Sequence, residues 1–186
     1  MARTPSTMIP LGTKMPPFVL RDVVTDASID LTELAAGKRG TLVMFICNHC
    51  PFVVHVRPVL VQVAHEALDR GFAVVAINAN SITTHPQDGP EHMAKLARDE
   101  HWRFPFVFDG SQQVARAYSA ACTPDLYVFD AANQLAYRGQ LDDSRPSNGI
   151  PVTGRDLRTA IEAVAAGRSP SSDQKPSIGC NIKWAP

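Results

Sequence analysis

The chain lacks an excess of charge of either sign, a long unbroken apolar run, a cysteine-rich framework and a glycine-rich phosphate loop. Each absence removes a class of function. Eighteen basic side chains against eighteen acidic ones leave no electrostatic footprint for nucleic acid or anionic lipid across the whole surface. The most apolar window, residues 41–64, contains Asn48, His49, His55, Arg57 and two prolines, a load that a membrane-spanning helix does not carry. Neither nucleic acid nor membrane is therefore an expected partner. Residues 1–14 include Pro5 and Pro10 and no apolar stretch of the secretory type, which makes the cytoplasm the expected location. With no phosphate-cradling loop and no Ser/His/Asp order, nucleotide, flavin and hydrolase readings fall away, and no cofactor is expected.

What is present describes a folded globular protein. Of the 186 residues, 45% are hydrophobic and 19% charged, enough for a sizeable core. At about 100–200 residues per domain, the expectation is a single domain over 1–186. Residues 1–11 read as an arm, and 168–186, rich in serine and proline, as an irregular tail that Ile182 and Trp184 dock on the body. Four cysteines, Cys47, Cys50, Cys122 and Cys180, are too few to staple such a chain, so their expected role is chemical.

Residues 42–46 and 72–77 are apolar throughout at strand length, the pattern of strands covered on both faces. Between them, 51–70 sets Phe52, Val56, Val59, Val63 and Ala67 at helical spacing before Gly71, with Pro58 inside to kink the axis. Strand, helix and strand make a βαβ unit. Further helices are expected over 90–101, after a Ser111 cap, and over 154–166 behind a Thr153 cap. An edge strand at 18–20, a short strand at 106–108 and a hairpin of 126–129 with 135–137 complete an α/β pattern around a mixed central sheet.

The chemistry concentrates in Cys47-Asn48-His49-Cys50-Pro51, a Cys-x-x-Cys at the turn from strand to helix. With Pro51 in the first helical position, Cys50 becomes the N-cap, where free N–H groups and the positive end of the helix dipole favour its thiolate. Cys47 is the candidate resolving thiol, within reach if the turn brings the two Cα atoms to about 7 Å. His49 is a candidate proton donor or local positive charge.

The run from Leu42 through Cys50 to Pro58 resembles the active-site strand and helix of thioredoxin-fold proteins. The resemblance puts Cys50 at the attacking cysteine, Pro58 at the helix-kinking proline and Val53 where the family's usual resolving thiol stands. Thr123-Pro124 resembles the family's cis-proline loop, which packs on the active cysteine and presents backbone to the substrate, and Cys122 beside it is a third candidate redox thiol. Over roughly residues 10–166 the chain looks closest to the peroxiredoxin-like branch that holds alkyl hydroperoxide reductases and thiol-specific antioxidants, on Pro16-Pro17-Phe18-Val19-Leu20, Cys50-Pro51 and the segment around Phe104-Pro105. That branch implies a peroxiredoxin-like N-terminal strand extension. It places a threonine or serine three residues before the attacking cysteine and an arginine near the start of the strand at Asp125-Leu126. Here Cys47 takes the first position, and Arg57 or Arg145 would have to supply the second.

The implied activity is a thiol-dependent oxidoreductase, with Cys50 as nucleophile and Cys47 resolving, on protein disulfides or on peroxides. Its electrons would come from a donor protein or small thiol, and the sequence leaves a dimer open. The alternative is a copper-binding module using Cys47, Cys50 and a histidine, against which the position of His49 between the two cysteines counts.

Overall fold

The computed structural model describes residues 3–185. In chain order the elements are β1 (Arg3–Pro5), β2 (Val19–Arg21), β3 (Ser28–Asp30), α1 (Leu31–Ala35), β4 (Gly40–Phe45), α2 (Pro51–Asp69), β5 (Ala73–Asn78), α3 (Pro90–Asp99), β6 (Phe106–Phe108), α4 (Gln113–Ala117), β7 (Cys122–Thr123), β8 (Asp125–Asp130), β9 (Leu135–Gly139), α5 (Arg155–Ala165) and β10 (Ile178–Asn181). The protein has a thioredoxin-like α/β fold. Its five-stranded mixed sheet has the order β6-β5-β4-β8-β9, parallel on the β5–β6 side of β4 and antiparallel on the β8–β9 side.

Every residue of β4 is buried, because the sheet is covered on both faces. Alternation then sorts the side chains. Leu42 and Met44 meet Val53, Leu60 and Val63 of α2, Met93 of α3 and Leu157 and Ile161 of α5 in one cluster. Val43 and Phe45 join Leu31 of α1, Ala115 of α4, Tyr118 and Tyr127 in the other. The chain leaves β4 at its C-terminal end and enters α2 directly, so residues 46–50 sit at the rim of the sheet. α2 continues through Pro58 to Asp69.

Four expectations need correction. Residues 1–11 are not simply an arm: β1 pairs antiparallel with β10. The tail is not irregular throughout, since β10 in turn pairs with β7, joining both chain ends in a three-stranded sheet. Ile182 is buried and Trp184 lies under the Arg116 guanidinium at 4.5 Å, so these two do dock the tail. Ser111 does not cap α4; the carboxylate of Asp109, two residues earlier, accepts from Ala115 N–H at 2.8 Å. Nor does Thr153 cap α5. The loop folds back so that Asp142 accepts from both Thr153 and Gly154 N–H at 2.6 Å, and Gly154 takes the left-handed conformation at the helix start. Ser111 and Thr153 each stand one residue before the N-cap position and accept only from the first helical amide, Gln113 and Arg155 N–H at 3.3 Å, while a remote carboxylate holds neighbouring amides.

Candidate active site

Cys50 is the N-cap of α2 and Pro51 its first helical residue. The Cys50 backbone is extended, and its carbonyl accepts the first helical hydrogen bond, from Val54 N–H, at 2.9 Å. Its sulfur is completely buried. The Val53 N–H faces that sulfur without closing a capping hydrogen bond. Cys47 and Cys180 pack with it in one buried cluster. No disulfide joins any of the four cysteines.

Thr123 bridges the pair from the opposite side. Its hydroxyl lies 3.4 Å from Cys47 Sγ, and its carbonyl accepts from the Cys50 thiol at 3.2 Å. The Thr123-Pro124 peptide bond is cis. Cys122, one residue before Thr123, is buried, donates to the Pro124 carbonyl at 3.6 Å and is pushed up by burial and by Asp125.

The proton of the Cys47–Cys50 pair has a preferred home. Donation from Cys47 is the largest influence on Cys50 and lowers it to about 4, with Cys180, the Val53 N–H and the Thr123 hydroxyl assisting and burial opposing. The Thr123 carbonyl, which accepts only from the protonated thiol, also limits the shift. Cys47 moves far in the other direction, because it holds the shared proton, is buried and faces the Asp88 carboxylate. Thiolate on Cys50 and thiol on Cys47 follow from helix N–H on one side and a carboxylate on the other.

Asp88, which sequence reasoning missed, organises the turn. Buried at the end of a short 3-10 turn, Pro86–Asp88, it accepts from Asn48 N–H at 2.9 Å and from Asn80 Nδ2 at 2.8 Å, and it lies 2.6 Å from His49 Nδ1. His49 stacks on His85 at 4.9 Å between ring centres, and its Nε2 is buried without a partner. Cys47 Sγ, His49 and Asp88 each offer a donor atom within 4.8 Å of the others. Cys50 is not in this group, so His49 converges with one cysteine and not with both, and Asn48 Nδ2 donates to the Gln87 carbonyl beside it. A soft divalent ion there would have to displace the His49–Asp88 hydrogen bond.

Neither arginine considered for a peroxidase site is directed at Cys50. Arg57 is held by Glu100 at 2.8 Å, and Arg145 donates to Gln140 and to the carbonyls of Asp142 and Ser144. The arginine beneath the cis-proline loop is Arg138 of β9, fully buried, 2.9 Å from Asp125 and 4.5 Å above the Tyr127 ring.

Residues 10–155 match the family model described as Redoxin. The chain belongs to the Redoxin family. This Redoxin-family chain is also similar over its whole length to a structure described as an uncharacterized conserved protein from Geobacillus kaustophilus, at 49% identity and a TM-score of 0.96, covering 100% of this chain and 98% of that one. A hypothetical protein from Sinorhizobium meliloti 1021 aligns at 44% identity and a TM-score of 0.94, over 98% of both chains. The thioredoxin domain of a thiol-disulfide oxidoreductase from Bacteroides vulgatus shares the fold at 17% identity and a TM-score of 0.63, covering 83% of this chain and 97% of that one. No curated protein matches. Redoxin membership makes the chain a thiol oxidoreductase of general type.

Proposed function

We propose that this Redoxin-family protein is a thiol–disulfide oxidoreductase in which the Cys50 thiolate attacks a disulfide held in extended polypeptide. The observation that carries the reading is the cradle around the Cys50 sulfur, where thiol donors and a helix N-terminus meet beside a cis-proline loop. Attack forms a Cys50–substrate disulfide and releases the first substrate sulfur as a thiolate. A second protein thiol then displaces the other substrate sulfur, so two electrons pass from a dithiol to the substrate. Cys47 is the second thiol that the Cys-x-x-Cys unit supplies. Electrons return from a dithiol protein or small thiol, and a cytoplasmic setting, where thiols are kept reduced, suits the cycle.

Peroxide is the weaker substrate class. Cys47 stands where a peroxide-binding hydroxyl is needed, and Arg57 and Arg145 are engaged elsewhere, so the donors that would stabilise a departing oxygen are not assembled. A copper-binding role would recruit Cys47, His49 and Asp88 and rests on their convergence alone. Copper titration without a cysteine-dependent charge-transfer band removes it.

The test mixes fully reduced protein with stoichiometric hydroxyethyl disulfide or hydrogen peroxide and follows intact mass and peptide maps over seconds to minutes. The expected result is fast modification of Cys50 by the disulfide and slow modification by peroxide. Modification that spares Cys50 overturns the assignment.

A further inference from the structure

The proposed nucleophile is entirely covered, and part of its cover comes from the far end of the chain. β10 runs antiparallel to β7, with Cys180 opposite Thr123 and Asn181 opposite Cys122. The residue before the cis-proline is the one whose backbone would pair with an extended substrate, so β10 lies where a substrate strand would lie. Cys180 lies opposite Thr123, whose carbonyl accepts from the Cys50 thiol at 3.2 Å, and shares a buried cluster with Cys50, where the cysteine of a substrate would be.

Two details show that this placement is built into the sequence. A Cβ at Gly179 would overlap the Thr123 carbonyl oxygen and come within 2.6 Å of its carbon, so only glycine allows β10 to lie this close to the loop. Ser177 donates to the Pro124 carbonyl at 2.6 Å and accepts from Ser6 N–H at 2.8 Å, fixing the strand's approach. Beyond β10, Ile182 N–H donates to the Ala121 carbonyl at 3.1 Å.

We propose that β10 is a tethered occupant of the substrate groove and that Cys180, rather than Cys47, closes the disulfide with Cys50. The proposal rests on Cys50 being the nucleophile, as assigned above. β10 lifts from β7 to admit a substrate disulfide, RSSR′. The Cys50 thiolate forms Cys50–S–S–R and releases R′S⁻. When β10 re-pairs with Thr123 it expels the substrate strand and delivers Cys180, which loses its proton as its sulfur bonds to Cys50 and releases RS⁻. The sum is RSSR′ and two protein thiols giving one protein disulfide, RSH and R′SH. Cys47 holds its proton beside Asp88 throughout and serves as the donor that keeps Cys50 ionised. Cys180 is pushed up to about 12, chiefly by burial, with Lys183 working to lower it, and is thus the easier of the two partners to ionise.

Trypsin separates the candidates, because Cys47 and Cys50 share the peptide 40–70, Cys180 lies in 169–183 and Cys122 in 117–138. The reduced protein and its Cys180→Ser and Cys47→Ser variants are treated with one equivalent of oxidised glutathione, quenched in acid and digested. The expected wild-type product joins 40–70 to 169–183. Cys180→Ser should stall as a glutathione adduct on Cys50, while Cys47→Ser still forms the cross-link. A disulfide internal to 40–70, with Cys47→Ser the variant that stalls, overturns the role of Cys180 and leaves the assigned activity intact. A Cys50 left unmodified in all three overturns that activity and this proposal with it. Independently, Gly179→Ala should raise the rate of Cys50 alkylation by a maleimide roughly tenfold or more, as the cover detaches. An unchanged rate in a folded Gly179→Ala protein sinks the groove-occupant role.

Discussion

The two walls around Cys50 are held in different ways. One is the turn from β4 into α2, where a buried carboxylate, Asp88, grips Asn48 and His49 of the turn together with Asn80 beyond β5. The other is β10, a four-residue strand between β1 and β7. The first wall creates the thiolate, because helix amides and Cys47 donors must keep fixed positions to favour charge on sulfur. The second governs access, because a four-residue strand in a small sheet outside the central one opens at lower free energy than the central sheet. Reactivity and accessibility are thus assigned to separate pieces of chain.

The largest test of that division removes the sulfur itself. Cys50→Ser should lower the rate of disulfide reduction by about a thousandfold or more, since a hydroxyl at this site is not ionised near neutral pH. Turnover of a dithiol–disulfide couple followed by released thiol checks it. If Cys47→Ser matched that loss while Cys50→Ser kept activity, the nucleophile would belong to the other cysteine.

The next test addresses the foundation of the access wall. Asp125 and Arg138 form an ion pair with both side chains fully buried directly after the cis-proline, and Arg138 also donates to the Ser119 carbonyl at 2.8 Å. Removing one partner strands the other charge in the core, so Asp125→Asn should cost roughly 3–5 kcal/mol. Thermal unfolding reads the loss. The Asp125→Leu/Arg138→Met double variant should be less destabilised than Asp125→Asn, because no buried charge is left uncompensated.

Which parts of this were legible in the sequence follows the same division. β4, α2 and the N-cap position of Cys50 are local: an apolar run, a helical stripe and Pro51 lie within thirty residues and specify themselves. The loop at Thr123-Pro124 was reached through family resemblance, because isomer preference is set by tertiary contacts. Asp88 carried no signal, since its partners Asn48, His49 and Asn80 are scattered along the chain. β10 did carry one. Ile178, Cys180 and Ile182 recur with the period of a strand, but the serines and prolines of 168–177 masked it, and no local pattern says which edge a short strand will join.

A pH series sharpens the contrast between the walls. Because Cys50 is lowered to about 4, its alkylation by iodoacetamide should be flat from about pH 6 to 8 and fall below about pH 5, where a free thiol would instead rise toward its pKa near 8.5. The sign for stability follows from linkage. A folded-state pKa below the unfolded one contributes stability that is complete above the unfolded value and is lost as pH falls through the folded one. The melting-temperature advantage of wild type over Cys50→Ser should therefore shrink steadily from pH 8 to pH 4. An advantage that stays level from pH 8 to pH 4 would mean that Cys50 is folded as the thiol, with the Thr123 carbonyl outweighing its donors.

The smallest expected effect lies at the far end of α2, where Glu66 accepts two hydrogen bonds from Arg158 of α5, each 2.8 Å. Both side chains are partly exposed, so solvent screens the pair, and Glu66→Gln should cost no more than about 1 kcal/mol despite the two-point geometry. Arg158 holds the Glu66 carboxyl below its ordinary range, so this contribution is complete above about pH 4.3 and lost as pH falls through the lower folded value. The same variant probes how rigidly α2 carries its N-terminus. If the Cys50 thiolate depends on contacts made at residues 47–53, its alkylation rate should not change when the helix is loosened four turns away. A changed rate in Glu66→Gln would show that α2 transmits strain along its length, through Pro58, and that the wall holding the nucleophile extends to α5.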